Sequence, residues 1–178
     1  MKLISCTIEN FGKLNNVTYD FSGECNTICE DNGWGKSTLA SFIRVMFYGF
    51  KNESKKKLVD KERNRLMPWQ KGVYGGEIVF ETGGVVYSLR RTFGKKQVDD
   101  EFLLVRKDTN VECDDFSCDI GEELFKIDAQ SFERTVFIGQ SDCVTATTDS
   151  INAKIGNLAD NTDCLLYTSP SPRDRSLS

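Results

Sequence analysis

Apolar and polar residues alternate at two places near the start of the chain. Ile4, Cys6 and Ile8 alternate with Ser5 and Thr7, and Val17, Tyr19 and Phe21 alternate after the polar turn at 13–16. A period of two predicts two strands joined as a hairpin, leading into a third strand that runs up to the loop at 30–38. Phe11, between the first two strands, reads as core. From Lys36 the period changes, with Leu39, Phe42, Ile43 and Met46 recurring at helical spacing and Gly49 placed to end the run. Residues 76–81, with Ile78 and Phe80, are followed by the turn Thr82-Gly83-Gly84 and by 85–93, where Val85, Tyr87 and Leu89 share a face. That is a second hairpin by its turn residues. Residues 102–105 predict a further strand, and 119–125 a short helix with Asp119 as candidate N-cap for Glu122. A short amphipathic turn then precedes the apolar run Val136-Phe137-Ile138, which ends at Gly139-Gln140.

The chemistry gathers where strand gives way to helix. Asn32-Gly33-Trp34-Gly35-Lys36-Ser37-Thr38 is a glycine-bearing turn that opens a helix, and a helix N-terminus presents a row of backbone N–H groups suited to phosphate. Gly33 and Gly35 let the backbone approach an anion, Lys36 supplies a point charge for β/γ-phosphates, and the Ser37 hydroxyl takes the position that holds Mg²⁺. The expected ligands are therefore the phosphates of a nucleotide, with Mg²⁺. Glu30 stands where the pattern G-x-x-x-x-G-K-[ST] has its first glycine. It either sits in an allowed conformation or strains the turn. Gln140, just past an apolar run, can reach an ion through its side-chain oxygen, and beside the loop at Lys36 it becomes a candidate second Mg²⁺ contact.

Composition narrows the class. A chain of 178 residues, 39% hydrophobic and 28% charged, fits a soluble globular protein with a sizeable core. No stretch approaches the roughly 20 apolar residues of a membrane span, and the N-terminus lacks a secretory pattern, so the expectation is a cytoplasmic protein without a membrane partner. Seven cysteines without histidine and without C-x-x-C argue against a metal site or a disulfide framework. Cys6, Cys25 and Cys29 fall on strand-like stretches and read as small buried hydrophobes.

A net charge of −4 argues against a protein that coats nucleic acid over its whole surface. Yet 51–71 is locally basic, with Lys51, Lys55, Lys56, Lys57, Lys61, Arg63, Arg65 and Lys71. Such a run is either a solvated face or a phosphate-contacting segment, and its candidate DNA contacts are Lys55, Lys56, Lys57, Lys61, Arg63 and Arg65. Trp69 at its end could stack on a base or anchor the loop to the core.

From Cys164 the pattern breaks off into Leu-Leu-Tyr-Thr-Ser-Pro-Ser-Pro-Arg-Asp. Back-translated, this tail resembles a transposase mosaic end and sequencing adapter, so 164–178 is expected to be non-native and is set apart from the fold. The alternative is a genuine Ser/Pro tail.

The combination of Ile8-Glu-Asn-Phe11-Gly12, Asn26-x-Ile-x-x-x-Asn32-Gly-x-Gly-Lys-Ser-Thr38, the hairpin from Tyr74-Gly-Gly-Glu-Ile to Tyr87-Ser-Leu-Arg-Arg, and Phe137-Ile-Gly-Gln140 resembles the N-terminal half of an SMC-like ATPase head. It is similar to the SbcC-type repair ATPases and the YhaN-like AAA proteins. The resemblance implies an α/β fold: the N-terminal lobe of an ABC-type P-loop NTPase head over 1–150, with antiparallel β-hairpins beside a P-loop strand-helix unit. A coiled coil would begin at 151–163. Carried over, Asn32 to Thr38 would bind ATP, Ser37 would hold Mg²⁺, and Gln140 would be the Q-loop residue that senses the γ-phosphate. Two heads would sandwich ATP as a homodimer, with DNA and a nuclease subunit as partners, in DNA double-strand break repair or DNA processing. Arg90 and Arg91 join the candidate DNA-facing residues.

The family's signature motif and Walker B acids lie in the other half of the head, and neither Asp114-Asp115 nor Glu122-Glu123 follows an apolar strand as a Walker B pair should. No catalytic residue is therefore assigned. The expectation is that the full-length protein hydrolyses ATP, whereas this chain at most binds it, and that open sheet edges make it poorly soluble. Two other readings stand beside this one: a non-catalytic nucleotide-binding interaction module, and a P-loop ATPase unrelated to DNA.

Overall fold

The computed structural model describes residues 1–21, 23–50, 61–137, 151–153 and 155. Ten elements and a 3₁₀ turn order the described residues up to 137. They are β1 (Lys2–Phe11), β2 (Leu14–Asp20), α1 (Lys36–Tyr48), α2 (Glu62–Arg65), β3 (Gly75–Thr82), β4 (Val85–Thr92), the 3₁₀ turn Gln97–Asp99, β5 (Glu101–Arg106), β6 (Val111–Glu112), α3 (Ile120–Phe125) and α4 (Ala129–Thr135). The strands form one antiparallel sheet in the order β2-β1-β3-β4-β5-β6. Both expected hairpins are present, and β1 joins them by pairing with β3 across the intervening helices.

The register turns the alternating pattern into a core. Cys6 lies opposite Ile78, Ile78 opposite Leu89 and Leu89 opposite Leu104, and all four are at most 1% exposed. This row faces α1, whose Phe42, Val45, Met46, Phe47 and Tyr48 are buried, together with Ile120 of α3 and Phe132 of α4. Burying each such side chain contributes about 1.5–3 kcal/mol before ordering costs. Phe11 is core as expected, meeting Phe42 edge-on at 5.2 Å and stacking on Phe50 at 6.2 Å. Tyr48 donates its hydroxyl to the Ile127 carbonyl at 3.1 Å, and burial raises its pKa above the ordinary tyrosine value. The outer face of the sheet is polar. There Arg90 pairs with Glu9 at 2.6 Å, and Glu77 meets Lys107 at 3.2 Å and accepts from the Ser88 hydroxyl.

Three local expectations are corrected. Residues 26–30 form no strand among the described residues; they pair with no strand of the sheet, whose edge on that side is β2. Cys25 and Cys29 are consequently exposed, whereas Cys6 is buried as expected and its thiol is pushed up to about 12 by burial. Asp119 stands at the N-cap of α3, but its side chain makes no capping bond; its carbonyl instead accepts from the Glu122 N–H at 2.9 Å. The side-chain cap appears one helix later, where Asp128 accepts from the Ser131 N–H at 2.7 Å. Val136 and Phe137 follow α4 without forming a strand, and Ile138 lies outside the described residues.

Among the described residues no helix is long and apolar enough to cross a membrane, and no cluster of His, Cys, Asp or Glu could hold a metal ion.

Candidate functional site

The glycine loop delivers the chain to α1. Gly35 is the N-cap at φ 126°, a conformation closed to other residues, and Gly33 sits at φ 84°. Helical bonding begins at once, with the Leu39 N–H reaching the Gly35 carbonyl at 2.8 Å. No side chain caps the helix and no acid stands in its first turn, so its positive end meets no anionic side chain of its own. Glu30 does not have positive φ, so the missing first glycine leaves the turn in an allowed conformation.

Lys36 folds back over the loop that precedes it. Its ammonium donates to the Glu30 carbonyl and to the Asp31 carbonyl, the latter at 3.0 Å, tying the start of the loop to its end. Asn32, Gly33, Lys36 and Ser37 are exposed and Thr38 is half-buried. Trp34 is half-buried because its ring meets Tyr19 of β2 edge-on at 6.0 Å. That contact holds the loop against the first hairpin.

Ser37 and Thr38 also line a cleft of about 620 Å³, whose other walls include Lys13, Ser41, Arg65 and Trp69. Three elements converge there. A Cβ on Gly12 would lie 2.9 Å from the Thr38 methyl, so the β1–β2 turn packs directly on α1. The Gly12 N–H donates to the Leu66 carbonyl at 2.6 Å, fixing the segment after α2 to the same turn. Lys13 and Ser41 were not among the candidates from sequence. The available signals were the tight turn that carries Lys13 and the spacing of Ser41, one helical turn beyond Ser37.

The other candidates fall in different places. Gln140, Lys55, Lys56 and Lys57 lie outside the described residues. Lys61 is half-buried at the start of α2, and Arg65 is exposed. Arg63 is corrected from surface contact to structural residue. It is 4% exposed, grips Asp100 with two bonds of 2.6 and 2.7 Å, donates to the Gly94 carbonyl at 3.0 Å and lies over the Phe50 ring. Arg91 is corrected likewise. It is buried over Phe102 and donates to the Cys118 carbonyl, and burial pulls its pKa down to about 10. Arg90 remains on the outer face of the sheet, paired with Glu9.

The arrangement offers an anion a helix N-terminus, the Lys36 ammonium and two hydroxyls, beside a cleft with further cations. Among the described residues no carboxylate lines that cleft. Asp115 is held by Arg106 and Tyr87, and Glu123 by Ser117.

The profile of a family described as an AAA domain matches residues 5–167. Over 82 residues the chain is 35% identical to the uncharacterized protein YhaN of Bacillus subtilis (strain 168), an alignment covering 46% of this chain and 8% of that protein.

Proposed function

This chain belongs to the AAA-domain family of ATPases, and we propose that residues 32–38 bind the phosphates of ATP in the N-terminal lobe of an ATPase head. The observation that carries this reading is Lys36, whose ammonium closes the loop onto the Glu30 and Asp31 carbonyls at the uncapped N-terminus of α1. An arriving polyphosphate would draw that ammonium from neutral carbonyls to full negative charge, a stronger charge-assisted contact. In this reading the Ser37 hydroxyl and Gln140 hold Mg²⁺.

The full-length protein then hydrolyses ATP as an SMC-like head of the SbcC type. A second head and the Walker B acids come from outside this chain, and the coupled work is DNA processing or repair. Exposed Arg65 and half-buried Lys61 support a DNA-facing role for the basic segment. The test is calorimetric titration of Mg-ATP into the chain. Binding that is lost in Lys36→Ala, with the circular dichroism spectrum unchanged, is the expected result; equal binding by Lys36→Ala would sink the reading.

A further inference from the structure

The cleft beside the loop is larger than a triphosphate chain needs, and its most unusual occupant is Trp69. That side chain is 99% exposed, although an indole in water forgoes the largest burial any side chain offers. Of the two uses open to it from sequence, anchoring the loop to the core is excluded by that exposure. The segment carrying it is nevertheless held in place, by the Gly12 to Leu66 bond at 2.6 Å and by the buried Leu66 side chain. Trp69 therefore stands at the rim of the cleft that Ser37, Thr38 and Ser41 line from the α1 side, close in sequence to the Leu66 anchor.

We propose that this cleft is the base and ribose subsite of the nucleotide, with the base stacking on Trp69 and with Arg65 and Lys13 flanking the sugar and α-phosphate. The inference rests on the phosphate reading of residues 32–38, because Ser37 and Thr38 belong to both the loop and the cleft wall. Stacking uses the face of the base, so it adds affinity for any purine nucleotide with little preference between adenine and guanine. Lys13 is placed for its part by the same packing that fixes the loop, since its Cε would lie 3.1 Å from a Cβ on Gly35.

The test compares ATP, GTP and inorganic tripolyphosphate, each with Mg²⁺, on the chain and on its Trp69→Phe and Trp69→Ala variants, by titration calorimetry. Trp69 is exposed, so neither substitution touches the core. The expected result is that tripolyphosphate binds all three proteins alike. ATP and GTP should bind the parent and Trp69→Phe more tightly than tripolyphosphate does, and lose about tenfold or more in Trp69→Ala. Unchanged nucleotide affinity in Trp69→Ala, with tripolyphosphate still bound, overturns the subsite alone. No binding of either tripolyphosphate or ATP to the parent chain overturns the phosphate reading, and the subsite with it. A single-stranded oligonucleotide that quenches Trp69 fluorescence and is not displaced by ATP assigns the ring to nucleic acid and also overturns the proposal.

Discussion

Arg44, in the third turn of the helix that follows the glycine loop, donates to Glu133 of α4 at 2.7 Å and on its other side to Glu62 of α2. One guanidinium, with a side chain only 8% exposed, thus joins the loop helix to the segment that carries Trp69 and to the helix that leads toward Gln140. The two glutamates are more open, at 22% and 44% exposure, so removing the arginine leaves charges that water can partly reach. Arg44→Ala is expected to destabilise the chain by about 2 kcal/mol, below the cost of breaking a fully buried pair. Urea unfolding measures it. Glu133→Gln should cost less, because the more exposed partner is lost.

Arg63 and Arg65 stand two residues apart and should behave differently. Arg63→Ala leaves Asp100 without its bidentate partner and is expected to cost about 3 kcal/mol of stability. Arg65→Ala should leave the unfolding midpoint nearly unchanged, because that side chain is 72% exposed. If the basic segment meets DNA, Arg65→Ala lowers the slope of log affinity against log salt by about one. An unchanged slope, measured by fluorescence anisotropy across salt concentrations, removes Arg65 from any DNA contact.

Gly76 lies where β3 passes between two strands. A Cβ there would sit 2.1 Å from the Thr7 carbonyl oxygen and 3.0 Å from the Phe42 ring, and neither backbone nor core can yield. Gly76→Ala is expected to destabilise by about 3 kcal/mol. A midpoint equal to that of the parent would show that β1 and β3 do not pair in this register.

Glu77 gives the fold a pH dependence of definite sign. Burial by itself would raise its carboxyl, but hydrogen bonds from Ser88 and Lys107, with the charges of Lys107 and Arg90, hold it below 4.5. A depressed carboxylate contributes stability that is fully present above the unfolded value and is lost as pH falls through the folded one. Glu77→Gln is therefore expected to be less stable than the parent at neutral pH, by up to about 1 kcal/mol for this partly exposed pair. The two should converge as the pH drops well below 4.5. Urea midpoints measured across acid pH check both parts.

Much of this was legible in the pattern of residues, for reasons that local physics supplies. The Gly83-Gly84 turn and the facing apolar alternation specify the β3–β4 hairpin without help from elsewhere, and α1 ends at Gly49 as its spacing predicts. What could not be read depends on partners distant in the chain. Arg63 belongs to a basic run by composition, and only the fold brings it to Asp100, 37 residues on. Residues 26–30 have strand-like character, yet the sheet supplies no neighbour for them. β6 is two residues long, too short to leave a periodic signal.

The absence of a strand before the glycine loop divides the loop by how firmly its amides are held. Past Gly35 the amides enter the helical ladder, beginning with Leu39. Before it, 26–30 run without ladder partners among the described residues. Deuterium from solvent should therefore enter the approach to the loop within seconds while the later amides of α1 stay protected for far longer. Whatever settles on the helix N-terminus would be seen as protection spreading backward through Gly33 toward Asn26.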